Sequence, residues 1–273
     1  MTDEQPPDRL NVSVQTPAGP VTVPVEVRAG FVPVTAIVGP LRRLGEEAQA
    51  LEVRRLQAGG DRVSCRRGCA ACCRMLIPVS APEAFALAES MRAWPEPRRQ
   101  AVLARMRDAR DRLDSAGLLS ALQNFAEAPQ QLSDEQFEPV NRAYFALRLP
   151  CPFLVEESCS IYEDRPAACR ELQVTSPPEF CNDPERHPVQ SVPIPLRIGT
   201  ALAQLWADLA GGPVRFIPLP LALDWAGRHA AQHRLTWRGG ELLERALDKI
   251  WWYLNRELDH RRSPAAASEQ DPR

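Results

Sequence analysis

Eight cysteines, all held in two short stretches, constrain this 273-residue chain more than any other feature. The first group is Cys65-x3-Cys69-x2-Cys72-Cys73, and the second is Cys151-x7-Cys159-x9-Cys169-x11-Cys181. Cysteines used as small hydrophobes would scatter through apolar faces. Thiols this dense also pack badly as disulfides, because bridged Cα atoms need about 4.4–6.8 Å and converging Cβ vectors. A metal accepts several thiolates from one turn and others from a remote loop. The pattern therefore points to a metal centre, either zinc or an iron–sulfur cluster, with all eight cysteines as candidate ligands.

The surrounding sequence narrows the setting. Met1–Pro7 has neither a basic start nor an apolar run, and no stretch approaches the roughly 18 apolar residues of a membrane span. The expectation is a cytoplasmic protein that does not enter a membrane, in a reducing compartment where structural disulfides are rare. A formal net charge of −2 argues against a nucleic-acid partner held by phosphate neutralisation. A metal ion or cluster is the expected partner, and a protein partner is left open.

Hydropathy patterning predicts a mainly α fold with an N-terminal β-hairpin and an irregular, loop-rich cysteine core. Val12 and Val14 alternate with polar residues, as do Val21, Val23, Val25 and Val27, with Pro17-Ala18-Gly19-Pro20 between them. Pro24 belongs on an edge strand. A helix is expected from about Gly39 to Ala58, ended by Gly59-Gly60. Ser80-Ala81-Pro82-Glu83 has capping-box spacing and opens a helix to about Ala93. Val102, Met106, Ala109 and Leu113 recur at helical spacing within 98–115. Further helices are expected over 118–127, 134–147, 196–210, 219–233 and 240–260, the last with an apolar face of Leu243, Leu247, Ile250, Leu254 and Leu258. The chain divides into a hairpin and helix (1–60), a cysteine-cluster domain (61–185), a helical region (186–262) and a disordered tail (263–273).

Local context refines the cysteine reading. Asp164-Arg165-Pro166 starts a helix that puts Cys169 in or near its first turn, where exposed N–H groups favour the thiolate. Arg66, Arg67, Arg74, Arg165 and Arg170 flank ligand candidates and can offset the negative charge of a thiolate centre. His229 and His233 lie one helical turn apart and read as a structural pair. His187, six residues after Cys181, is a substitute ligand of lower rank. Trp251, Trp252 and Tyr253 read most simply as core packing, although a partner surface would use the same residues. The mixed charges from Arg105 to Arg112 read as a solvated helix face. No Gly-rich phosphate loop or Ser/His/Asp set is present.

Three motifs carry a family resemblance: the first cysteine group, Cys151-Pro152-Phe153-Leu154, and the run from Cys159 through Ser160-Ile161-Tyr162-Glu163-Asp164-Arg165-Pro166-Ala167-Ala168-Cys169 to Arg170. Over about 61–185 the chain resembles the YkgJ-type cysteine-cluster family, described as zinc- or iron-chelating. The resemblance implies a metal centre and no settled reaction. Cys181 fits the eighth position more loosely than the others. Zinc usually takes separated Cys-x2-Cys pairs, whereas Cys65-x3-Cys69-x2-Cys72 can wrap three corners of a cubane, which favours iron–sulfur over zinc. That spacing is also found in radical S-adenosylmethionine enzymes, but the β/α barrel pattern they need is not visible. The resemblance extends to flagellin lysine methylases, which keeps S-adenosylmethionine-dependent protein lysine methylation as an alternative. A structural zinc site behind a protein-interaction surface is another.

Overall fold

The computed structural model describes residues 8–130 and 133–262. The expected disordered tail at 263–273 lies outside the described residues. Strands β1 (Asp8–Thr16) and β2 (Gly19–Val27) form the hairpin, antiparallel with Val12 opposite Val23 and Val14 opposite Val21. The alternation that predicted them is their pleat: all six valines are buried on one face, against α1 (Val38–Ala58). Pro24 stands opposite Asn11 in this two-stranded sheet, so its missing N–H leaves no central ladder broken. Helix α1 ends before Gly59-Gly60, and Gly60 takes the left-handed φ of 97° that carries the chain into the first cysteine loop.

Beyond that loop, β4 (Pro78–Val79) pairs with β7 (Ile217–Pro218), and α2 (Ala81–Arg92) begins at the Ser80–Glu83 box. Phe85 of α2 is fully buried, its ring 5.4 Å from Trp206, 5.3 Å from Trp225 and 4.7 Å from His233. It is the hinge of packing between α2, α7 (Ile198–Ala210) and α8 (Ala222–Arg228). In α3 (Glu96–Ser115) the four predicted apolar positions are the buried ones. A smaller core forms where α3 meets α4 (Leu119–Glu127) and α5 (Asp134–Ala146), centred on Leu113, Leu122, Tyr144 and Leu149. The main core is continuous from Val12 of the hairpin to Leu254. Among the described residues, no helix is long and apolar enough to cross a membrane.

Two helical expectations need correction. The segment 219–233 is not one helix: a 3-10 turn at Leu219–Leu221 precedes α8, and α9 (Ala230–His233) follows a break at His229. The chain turns there so that β8 (Thr236–Arg238) can pair with β3 (Phe31–Pro33). In α10 (Gly239–Arg262) the buried face is Leu242, Leu243, Ala246, Ile250 and Leu254. Trp251 and Trp252 are not core; they lie about 100° and 200° around the helix from Ile250 and are 40% and 49% exposed. Tyr253 is half-buried, and its hydroxyl accepts from Arg197 Nε at 2.5 Å.

Gly239 is where α10 meets the end of the hairpin. A Cβ there would stand 1.9 Å from the Arg28 carbonyl oxygen and 2.6 Å from Val27 Cγ1. Gly239→Ala is expected to cost about 2 kcal/mol or more, because backbone cannot yield as a side chain can. Gly240→Ala, with nothing within 4 Å of the added atom, should leave stability unchanged or slightly raised. Urea unfolding midpoints of the two variants check this pair.

Candidate metal centre

Backbone hydrogen bonds bring the two cysteine groups together before any thiol is considered. Cys151 N–H donates to the Cys73 carbonyl at 2.8 Å, pinning the second loop to the 3-10 turn Ala71–Arg74. Ser64 fastens the other end, its N–H to Val174 O at 2.9 Å and its hydroxyl to Ser176 O at 2.5 Å. Gly68, at φ 86°, turns the chain so that Cys69 follows Cys65 back toward that turn.

In the second loop, β5 (Leu154–Val155) and β6 (Ser158–Cys159) form a two-residue hairpin closed by Glu156 and Glu157 at φ 49° and 55°. Arg74 grips Glu157 at 2.7 Å, and Arg98 and Arg105 donate to the Ser160 and Pro152 carbonyls at 2.9 and 2.6 Å. Arg105 was read as part of a solvated face. It is instead half-buried and clamps the cysteine loop, a tertiary role that its helical neighbours do not signal.

Six of the eight cysteines line one small cavity of about 50 Å³: Cys69, Cys72, Cys73, Cys151, Cys159 and Cys169. Phe153, Ile161 and Leu219 close its apolar side, and Arg165 contributes a guanidinium. Cys65 and Cys181 are not on this wall. Cys65 Sγ accepts the Val174 N–H at 3.3 Å, and Cys181 is buried in the 3-10 turn Pro178–Asn182, packed on the Ala71–Arg74 turn. Both lie close enough to Cys69 and Cys72 to feel their charge. Cys151, Cys159 and Cys169 interact with one another and also with Cys72. The thiols thus form two overlapping sets, an outer one with Cys65, Cys69 and Cys181 and an inner one with Cys73, Cys151, Cys159 and Cys169. Cys72 is common to both.

The ionisation pattern follows from burial and contact. Interaction with the neighbouring Cys73 thiol brings Cys72 down to about 7 despite burial. The same interaction, with burial added, pushes Cys73 up. Burial pushes Cys151 to about 12 and Cys181 to about 11, and raises Cys65 and Cys159. Cys169 departs from its sequence expectation. It does sit in the first turn of α6 (Ala167–Glu171), but loss of hydration raises it well above the usual thiol range. One short turn of partial charge does not outweigh a low-dielectric surround crowded with other sulfurs.

Of the five flanking arginines, Arg165 serves the thiols most directly, its charge lowering Cys65, Cys72, Cys159 and Cys169. Its guanidinium stacks 3.6 Å from the Tyr162 ring centroid and donates to the Tyr162 carbonyl at 2.9 Å. Arg67 pairs with Glu163 at 3.5 Å, and Arg170 pairs with Glu46. The histidines lie elsewhere. His229 stacks on Trp225, His233 reaches Glu89 at 2.6 Å, and His187 stacks on Phe180.

All eight cysteines are free thiols. Among the described residues, no three Cys, His, Asp or Glu side chains already stand in metal-ligand geometry. The donor chemistry nonetheless fits a thiophilic metal, because soft sulfur ligands select zinc and iron–sulfur clusters. No curated protein and no solved structure matches the chain. Residues 64–186 match the model of a family described as "CxxCxxCC: Putative zinc- or iron-chelating domain". Here the first spacer is one residue longer than in that name, with Arg66-Arg67-Gly68 between Cys65 and Cys69. The matched segment spans every cysteine on both loops, so over residues 64–186 the chain is similar to the CxxCxxCC family.

Proposed function

We propose that the protein binds a polynuclear thiolate metal centre, an iron–sulfur cluster in preference to a lone zinc ion, between its two cysteine loops. The observation that carries this reading is the gathering of six cysteines on one cavity. A tetrahedral zinc site uses four ligands, so six cysteines lining one cavity, with Cys65 and Cys181 adjoining, suit a centre of more than one metal atom. The inner cysteines Cys73, Cys151, Cys159 and Cys169 and the outer Cys65, Cys69 and Cys181 would supply the ligands, with Cys72 available to either set. Phe153 and Ile161, both buried, would keep water from the sulfurs, and Arg165 would offset the centre's negative charge. Free thiols are the form that a reducing compartment such as the cytoplasm maintains.

A bound cluster would supply one-electron redox capacity, and it would add sulfur–metal bonds to the backbone hydrogen bonds that join the loops at Cys151–Cys73 and Ser64–Val174. Ligand sulfurs must close inward on the metal, so binding and final ordering of the loops are one process. Anaerobic purification followed by elemental analysis and a visible spectrum tests the proposal. Iron with matching acid-labile sulfide and broad absorption near about 400 nm is the expected result. Stoichiometric zinc without sulfide would replace the cluster by zinc. Failure to retain either metal after anaerobic reconstitution would remove the centre altogether.

A further inference from the structure

Behind the cysteine loop, α1 and α6 enclose a second and far larger cavity, about 600 Å³, which falls within the usual range for a small-molecule site. Cys65 is on its wall, so it adjoins the thiol cavity without being part of it. Four guanidinium groups, those of Arg42, Arg54, Arg165 and Arg170, share the lining with the carboxylates of Glu46 and Glu171 and the buried amide of Gln49. Arg42 and Arg170 donate to consecutive carbonyls, Asp164 and Glu163 respectively, which brings their like charges near each other. Arg42 is mostly buried, bonded to Glu83 at 3.1 Å and to the Asp164 carbonyl at 3.4 Å, while its buried Nε has no hydrogen-bond partner among the described residues. Arg170 is held by the half-exposed Glu46 carboxylate at the cavity edge.

Glu83 and Glu46 each offset one of these two charges, but Arg54 and Arg165 add two more with no carboxylate partner among the described residues, and Arg42 keeps an unused donor, so positive charge is in surplus around Arg42 and Arg170. An anion between them would remove the repulsion, and the planar fork of arginine matches carboxylate and phosphate oxygens. We propose that this cavity binds a small anionic ligand, its carboxylate or phosphate group held between Arg42 and Arg170 and its polar body toward Gln49. Glu46 occupies part of that position now and competes with the ligand for Arg170. The site adjoins the proposed metal centre, since Arg165 lines both cavities and Arg170 follows Cys169, but its ligand would be held by guanidiniums and not by the thiols.

Calorimetric titration of the full-length protein with sodium phosphate and with sodium succinate, at constant ionic strength set by sodium chloride, tests the assignment. At least one of the two should bind saturably, and the tighter one identifies the head group. Ala50→Trp, which fills the cavity from α1 without altering charge, and Arg54→Glu should each weaken binding by about tenfold or more. Glu46→Gln should tighten it several-fold by freeing Arg170, a gain that no general loss of structure could produce. The proposal is overturned if neither anion saturates up to about 20 mM. It is equally overturned if affinity is unchanged in both Ala50→Trp and Arg54→Glu, which would place the anion elsewhere, including at the metal.

Discussion

Cys72→Ser and Cys169→Ser should each strip the protein of most of its metal and lower its melting temperature by about 10 °C or more. Cys72 lies near Cys65 and Cys181 as well as Cys151 and Cys159, and Cys169 sits against Cys151, Cys159 and Cys72 on the cavity wall. Structural metal sites contribute apparent binding free energies of about 10–16 kcal/mol, comparable with the whole stability of a typical domain at about 5–15 kcal/mol. Losing even a third of that contribution is a shift of that size. Serine keeps the shape and removes the soft ligand, so packing alone changes little. In chelator-stripped samples, the difference between wild type and either variant should therefore shrink to about 1 kcal/mol. Cys181→Ser, off the cavity, should retain more metal than either. Unchanged metal content in both Cys72→Ser and Cys169→Ser would remove these residues from the ligand set.

How much of this was legible in the sequence depends on whether the cause was local. The hairpin was legible because a pleat writes its buried face into every second residue, as Val21 through Val27 do. The alternating four- and three-residue spacing of Val102, Met106, Ala109 and Leu113 exposed α3 in the same way. The cysteines announced a shared chemistry, but their arrangement did not follow from spacing. Cys151 meets Cys73 through a hydrogen bond that spans the intervening helices α2 to α5, and no local pattern encodes that closure. Position on a wheel can also mislead. Trp251 and Trp252 are the most apolar residues of α10 by bulk, yet Ala246 and Ile250 set the face that packs. Arg105 belongs by sequence to an alternating charged run, and only the docking of the second cysteine loop on α3 gives it the Pro152 carbonyl.

Glu83 shows both sides of that divide in one side chain, and its removal should be the most damaging change away from the cysteines. The Ser80–Glu83 spacing predicted one carboxylate oxygen correctly: Oε2 accepts from Ser80 N–H at 3.1 Å and from its hydroxyl at 2.9 Å. The other oxygen was not legible. Oε1 accepts from Ala167 N–H at 2.7 Å, at the start of the helix that carries Cys169, and pairs with Arg42 of α1 at 3.1 Å. One carboxylate, 1% exposed, thus locks α1, α2 and α6 together behind the cysteine loop. Glu83→Ala leaves a mostly buried guanidinium and a buried N–H without their partner, and the expected cost is about 3–5 kcal/mol in urea unfolding of the metal-free protein. Glu83→Gln keeps the shape and one acceptor and should lose less, about 1–3 kcal/mol. Replacing the pair by apolar residues, Glu83→Leu with Arg42→Met, should recover part of the loss, because no uncompensated charge is then buried. Metal content should fall in Glu83→Ala as well, since Ala167 positions the turn bearing Cys169. A loss under about 1 kcal/mol in Glu83→Ala would show that the Arg42 pair and the Ala167 contact do not hold these helices.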